Sequence, residues 1–454
     1  MARTLAQVVV AVVVLCFTAE AQASPVELFG FGSHHAGRNG AVSADATDFG
    51  ATYYNPAGLA FGNGKRFNIG MLGSFSNLQA NDVRQEVTEP IGLVVGASTP
   101  APLGGVLKDR IFLGFGLYLL PRTATQVIAH FPDEPFFPYY DNRTQRVVIL
   151  PGIAVRVLDS LSIGVSANAL ATLAGNIQAS EGATRAVEAR IDEKIPTVAR
   201  LNAGLRWRPP MVRGLSLALA YREEFSIPFS TIAETSVAGE PIDIVIAADG
   251  VYTPTQYVAG GSYRRGRNQV GLDVTWARWS GYGGPYVDVR SELPLVGPLA
   301  GNLPDVPFKD TIGIRLGGQL QLASTKRSTL LLRGGYGFET SPVPANQAGV
   351  TNLLDGYKNT VTLGFGIALP KALGKHDLRI DFHVQAQVVA GRKMDKQIVA
   401  NSDEYDPYGG LRDEVTDDPA TPATLGSQIS NPGYPNIRSS GQMFSGGFTV
   451  EISL

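Results

Sequence analysis

Leu378, Ile380, Phe382, Val384, Ala386 and Val388 alternate along the chain with Arg379, Asp381, His383, Gln385 and Gln387. A period of two puts grease on one face of an extended chain and charge on the other, whereas a helix would scatter both sets round its circumference. The same phase recurs elsewhere. Val361, Leu363, Phe365, Ile367 and Leu369 alternate with Thr360, Thr362, Gly364, Gly366 and Ala368. Leu215, Leu217, Leu219 and Tyr221 alternate with Ser216, Ala218, Ala220 and Arg222, and Val270, Leu272, Val274 and Trp276 with Gln269, Gly271, Asp273 and Thr275. At the C-terminus Phe448, Val450, Ile452 and Leu454 share one face.

This pattern predicts fourteen strands, at 66–79, 86–100, 110–120, 143–158, 160–174, 186–208, 213–230, 251–264, 267–279, 309–323, 328–341, 356–369, 376–389 and 442–454. An even number is what bacterial single-chain barrels use. Connections alternate in length as well. Short turns fall at 108–109, 159, 209–210, 265–266, 326–327 and 372–375, and long polar stretches at 121–142, 173–185, 231–250, 280–308, 342–355 and 390–441. Short turns at one end and long loops at the other are the periplasmic and extracellular ends of a membrane barrel. The expected fold is all-β, a transmembrane antiparallel β-barrel of about fourteen strands.

Composition agrees. Only 17% of residues are charged and 52 of 454 are glycine, a low-charge, glycine-rich balance compared with ordinary soluble domains. With 38 basic and 40 acidic residues the net charge is −2, which argues against a nucleic-acid partner. The single cysteine excludes a disulfide framework and a Cys-based zinc site. Beyond the first residues no apolar run is long enough for a membrane helix.

Arg3, an apolar run from Val8 to Phe17, and Ala19-Glu20-Ala21-Gln22-Ala23 read as a secretory signal peptide over 1–23, with Ser24 as the mature start. Cys16 follows Leu15, where lipoprotein processing wants a small residue, so it leaves with the signal. Residues 24–65 lack the alternation and are rich in small residues. Irregular backbone cannot face hydrocarbon, so this segment belongs in the periplasm or inside the lumen, with the barrel proper at 66–454.

Within it, Gly37-Arg38, Gly40-Ala41, Ala46 and Asp48 of an Ala-x-Asp, and above all Tyr54-Asn55-Pro56-Ala57-Gly58-Leu59 resemble the N-terminal hatch of the FadL family, outer-membrane transporters of long-chain fatty acids and, in some branches, aromatic hydrocarbons. The resemblance implies a lumen plugged by this segment, with Asn55, Pro56, Ala57 and Gly58 as hatch residues. It also implies an apolar site under the hatch and lateral exit through a gap at an inward-kinked third strand. Pro56 fixes φ and lacks an N–H, and Asn55 can bond its own backbone to hold a turn. Leu454 departs from the aromatic that commonly ends such barrels, a place Phe448 can take.

Strand three breaks the polar-lumen rule: with Ile111, Leu113, Phe115 and Leu117 outward, Phe112, Tyr118 and Leu120 point in. Next to it Val148 and Leu150 also point in, beside Pro151-Gly152, a pair that disrupts a ladder. These five are expected to line an apolar pocket, the alternative being packing against the hatch. Phe131, Phe136, Phe137, Tyr139 and Tyr140, in an aromatic, proline-stiffened loop, are expected to be exposed and to capture an apolar ligand from outside. The alternative is an interfacial girdle or loop packing. Arg206, Arg222, Arg315, Arg333 and Arg379 are phased inward, either to meet a ligand carboxylate or to pair with Asp273, Glu224 and Asp381. The acidic loop Asp403–Asp418 reads as solvated, or as a cation or lipopolysaccharide contact.

An outer-membrane lipid hydrolase needs a Ser/His pair near the rim, and none of the five histidines shares a face with an obvious serine nucleophile. No catalytic residue, metal site or cofactor is expected. A structural or adhesive barrel is the main alternative, and it leaves the hatch unexplained. The sequence therefore points to passive uptake of a hydrophobic small molecule, fatty acid or aromatic hydrocarbon, through a Gram-negative outer membrane. Its other expected partners are outer-membrane lipids, lipopolysaccharide and the barrel-assembly machinery.

Overall fold

The computed structural model describes residues 26–85, 87, 89–119, 134–140, 147–171, 174–181, 187–194, 197–237, 240–284, 287–293, 297–300, 306–348, 351–397 and 436–454. The signal peptide, Leu120, Phe131 and the acidic loop lie outside them.

Fourteen antiparallel strands close one barrel. They are β1 (Arg66–Ala80), β2 (Ile91–Pro100), β3 (Ile111–Leu119), β4 (Val148–Leu158), β5 (Leu161–Ala171), β6 (Thr197–Trp207) and β7 (Leu215–Arg222). The second half comprises β8 (Thr255–Arg265), β9 (Asn268–Arg278), β10 (Thr311–Ser324), β11 (Thr329–Glu339), β12 (Lys358–Leu373), β13 (His376–Gln397) and β14 (Asn436–Ser453). Each pairs with its neighbours in sequence, and β1 closes on β14 in unbroken register from Arg66↔Ser453 to Ala80↔Ser439. Every predicted strand has its counterpart.

Burial is inverted relative to a soluble protein. Phe382, Val384, Val361, Leu363, Leu219 and Leu272 are exposed, while Asp381, His383, Gln385, Thr362, Arg222 and Asp273 are buried. An outward apolar band and an inward polar face are what a spanning barrel presents to hydrocarbon and lumen.

Two differences from the sequence reading have physical causes. The long stretches at 173–185, 231–250 and 280–308 are not plain loops. Ala174–Glu181, Val187–Lys194, Phe225–Val237, Glu240–Thr253, Val287–Leu293 and Gly297–Ala300 form a second, six-stranded sheet on the long-loop side. The predicted strands at 186–208, 213–230 and 251–264 are correspondingly divided between barrel and second sheet. Polar composition hid β-branched runs such as Ile242-Asp-Ile-Val-Ile246, whose backbones still prefer the extended state.

The second difference concerns the expected gap at strand three. β3 is continuously paired on both sides, from Leu93↔Leu119 to Pro100↔Phe112 and from Ile111↔Val155 to Tyr118↔Val148. The interruption falls instead between β4 and β5, where pairing jumps from Ile149↔Ala169 to Gly152↔Ser166. Pro151 has no N–H to give, so the ladder lapses at Leu150–Pro151.

Candidate functional site: the seated hatch and its cavities

Residues 26–62 fill the lumen as three one-turn helices, α1 (Val26–Phe29), α2 (Ser33–Ala36) and α3 (Ala51–Tyr54), followed by a 3-10 helix at Pro56–Phe61. Turns join them, and irregular backbone buried this deeply must find partners for its N–H and C=O groups. The inward polar residues of the wall supply them. Asp273 accepts from the N–H of Val42 (3.1 Å) and of Ser43 (3.0 Å) and from the Ser43 hydroxyl (2.7 Å). Gln385 donates to Leu28 O (2.7 Å), Thr362 to Gly37 O (3.2 Å), Ser162 to Ala57 O (2.8 Å) and Ser166 to Thr52 O (2.5 Å). Ser33 N–H donates to Thr449 Oγ1 at 3.0 Å.

Two of the inward-phased arginines do similar work, and two meet acids of the wall. Arg222 donates to the carbonyls of Tyr53 and Tyr54, and Arg206 to that of Ala46. Arg315 faces Glu339 at 4.0 Å, and Arg333 binds Asp381 at 2.7 Å. The polar lumen is thus a mould for the hatch backbone.

Asn55 behaves as its type and place predict. Its backbone is extended (φ −167°), its Oδ1 accepts from Ala57 N–H at 3.1 Å, and Pro56 opens the 3-10 helix behind it. Its Nδ2 donates to Ser43 O (3.0 Å) and to Leu205 O of β6 (3.1 Å), so one side chain caps a helix and bolts it to the wall. Gly58 has no room for a side chain, since a Cβ there would stand 2.1 Å from Ala46 O. At the opposite wall the Gly364 Cα lies 3.0 Å from where a Cβ on Gly37 would be.

An ionic cluster ties the hatch to β13 and β14. Arg379 donates to Asp381 (2.7 Å) and Glu451 (3.1 Å) and lies 3.6 Å from Asp48 and 3.3 Å from His34 Nδ1. His35 approaches Asp48 at 3.2 Å. Burial, the neighbouring His35 and the surrounding arginines push His34 well below its ordinary value. Burial alone would raise Asp48, but His35 and Arg379 outweigh it and hold the carboxyl below the usual range. His34, His35 and Asp48 bring three potential metal donors within 4.8 Å of one another. Arg379 already places a fixed positive charge against two of them, so the set does not fit a cation.

Cavities lie on both sides of the hatch. Above it, toward the long loops, Leu28, Tyr54, Tyr139, Arg315 and Phe338 surround about 30 Å³, space for about one water. At the short-turn end cavities of about 600 and 260 Å³ open beside Pro209–Leu215 and Gly266–Arg267.

Phe112, Tyr118, Val148 and Leu150 are all buried and join hatch residues Phe31, Phe49 and Leu59 in one apolar cluster. Tyr118 covers Gly92, and Phe112 lies under the Arg156 guanidinium at 5.0 Å. Among the described residues the Tyr118 hydroxyl has no hydrogen-bond partner. Phe136, Phe137, Tyr139 and Tyr140 are buried too, not exposed as the sequence suggested. Their loop folds back into the mouth because it finds partners there. Phe136 N–H donates to Asn352 O and Leu354 N–H to Phe136 O, while the Tyr140 hydroxyl bonds Gln387 at 2.7 Å. Tyr139 stacks on Trp279 (5.9 Å) under the Lys358 ammonium (3.8 Å). Tyr252, Tyr282 and Phe308 extend this aromatic stopper. Sequence reasoning missed Trp279 and Tyr252, which stand just past or at strand ends; the run of aromatics at such ends was the available signal.

No protein-family model matches the chain, and no curated protein matches it. Solved structures do. A Pseudomonas aeruginosa FadL homologue superposes with a TM-score of 0.57 at 13% identity, covering 92% of this chain and 98% of the other. The Pseudomonas putida toluene transporter TodX gives 0.55 at 15% identity, with 94% and 99% covered. The monoaromatic hydrocarbon channel CymD gives 0.53 at 15%, with 93% and 97% covered. With fourteen strands closed in order round its own N-terminal segment, the chain has the fold of the FadL homologue and these hydrocarbon channels.

Proposed function

We propose that the protein carries hydrophobic small molecules passively across the outer membrane of a Gram-negative bacterium. The seated hatch supports this reading most directly. A lumen packed from Phe29 to Phe61, gripped from many strands and stoppered by Tyr139 and Trp279, is no water-filled pore. A structural or adhesive barrel has no use for such a device. The solved structures of this fold include a toluene transporter and a monoaromatic hydrocarbon channel, which favours an apolar ligand, fatty acid or aromatic hydrocarbon, handled without catalysis.

In this scheme the signal at 1–23 directs export, the barrel-assembly machinery inserts 66–454, and 24–65 serves as the hatch. Phe136, Phe137, Tyr139 and Tyr140 take the ligand when the stopper lifts. Phe112, Tyr118, Val148 and Leu150 receive it as the hatch shifts, and the lapse at Leu150–Pro151 is the place for sideways release into the bilayer. An apolar solute entering water instead would meet the full hydrophobic cost.

Uptake of labelled oleate and labelled toluene by cells with and without the protein tests this. Faster entry of either ligand is expected. Equal rates for both with and without the protein overturn the transport reading.

A further inference from the structure

The short turns carry an excess of exposed positive charge. Arg264, Arg265 and Arg267 stand at the β8–β9 turn, and Lys326 and Arg327 at that of β10–β11. Lys371 and Lys375 belong to the β12–β13 turn, Lys108 and Arg213 to those of β2–β3 and β6–β7, and Lys65 leads into β1. All ten are exposed, and against them this end sets three exposed side-chain carboxylates. Asp159 pairs with a further cation, Arg110, at 3.2 Å, Asp377 accepts the N–H of Lys371 at 2.8 Å, and Asp109 is the third. Among the described residues none of the ten makes an ion pair. The whole chain carries −2, so the rest of it is acidic and charge is polarised along the barrel axis.

These cations stand where strands leave the apolar band. Tyr263 and Val270 flank the β8–β9 turn, Leu320 and Leu322 precede Lys326, and Leu373 lies between Lys371 and Lys375, all of them exposed. The stems of Lys and Arg lie along such apolar surface while their heads reach the polar boundary. Two turns add apolar tips. Val106 is 92% exposed and Met211 85%, with Leu107 and Val212 beside them. Water disfavours such tips, whereas apolar side chains among cations suit the boundary between headgroups and acyl chains. A soluble acidic partner would be met by one patch. Here the charge is spread over five of the six short turns and the approach to β1. A ring is matched by what surrounds a barrel on every side, the headgroups of its own leaflet.

We propose that the short-turn rim gathers anionic phospholipid from the periplasmic leaflet, with the ten cations drawing the charged headgroups and the Val106 and Met211 tips dipping among the chains. Basic residues flanking a membrane span attract acidic lipid within about a Debye length of the surface. The inference rests on the outer-membrane reading and adds a partner at a surface that the hatch and stopper do not use.

The test is electron paramagnetic resonance of spin-labelled phosphatidylglycerol and phosphatidylcholine around the purified full-length barrel in phosphatidylcholine vesicles. Phosphatidylglycerol is expected to occupy the first lipid shell about threefold more often at about 0.1 M salt. The preference is expected to vanish near 1 M salt, where the Debye length falls to about 3 Å. Arg265→Gln, Lys326→Gln and Arg327→Gln together are expected to halve it. Arg278→Gln, Lys309→Gln and Arg438→Gln, three exposed cations at the long-loop end, are expected to leave it unchanged. Equal occupancy of the two lipids by the unaltered protein, which needs no variant to fold, overturns the proposal. So does an equal loss in both triple variants, which would mean attraction to cations anywhere on the barrel. Polyglutamate bound by the detergent-solubilised barrel, with no lipid preference in vesicles, overturns it in favour of a soluble acidic partner. The cell-uptake experiment is independent. Uptake without a phosphatidylglycerol preference sinks this inference and keeps the transport reading; the preference without uptake of either label does the reverse.

Discussion

Ser43 of the hatch gives Asp273 of β9 two hydrogen bonds, one from its backbone N–H at 3.0 Å and one from its hydroxyl at 2.7 Å. The N–H of Val42 adds a third at 3.1 Å. A carboxylate spent on three neutral donors, in a lumen with arginines to spare, is a clamp on the plug.

Asp273→Ala leaves those three donors buried and unsatisfied, at about 1 kcal/mol or more apiece. The barrel is expected to form, since pairing of β9 with β8 and β10 does not use the side chain. The hatch is expected to open about a hundredfold more often, for a seating loss of about 3 kcal/mol. Hydrogen exchange of the peptide containing Val42–Asp45 measures it. Exchange as slow as in the wild type would show that the clamp is idle.

Acid is expected to loosen the hatch from the other side. His34 is held well below its ordinary value near 6.5 while seated. A displaced hatch therefore binds a proton more readily, so seating is fully stable above about pH 6.5 and weakens as pH falls below it. Asp48, held below its ordinary value, contributes in the same direction, at lower pH. Exchange of the segment Ser33–Asp48, corrected for its intrinsic pH dependence, is expected to rise several-fold from pH 7.5 to 5. His34→Gln is expected to flatten that response, and a variant that keeps the full response would place the sensitivity elsewhere.

Tyr118→Phe removes a buried hydroxyl that has no partner among the described residues. Stability against guanidinium is expected to rise by about 1 kcal/mol. A fall instead would mean that the hydroxyl is satisfied in the working protein, by water or by ligand.

The barrel was legible because a strand between lipid and lumen must alternate, and Leu378 to Val388 does so without exception. Asn55, Pro56 and Gly58 were legible because a cap, a fixed φ and a site without room each admit few residue types. The purpose of the inward polar face was not. Gln385, Thr362 and Ser166 look the same in sequence whether they face water, a ligand carboxylate or a hatch carbonyl, for the partner lies 114 to 357 residues away. The aromatic loop misled for a related reason. Tyr139 is apolar surface wherever it stands, and only the position of Trp279 decides that it is covered.

The closing register of β1 on β14 also sets an order of assembly. The hatch precedes every strand in the chain, yet apart from Arg66 of β1 its partners sit on strands from β4 through β14. Contacts of such long sequence separation form late. The segment made first is therefore the last to find its place, and until β14 has joined β1 the plug is a passenger inside an unfinished wall.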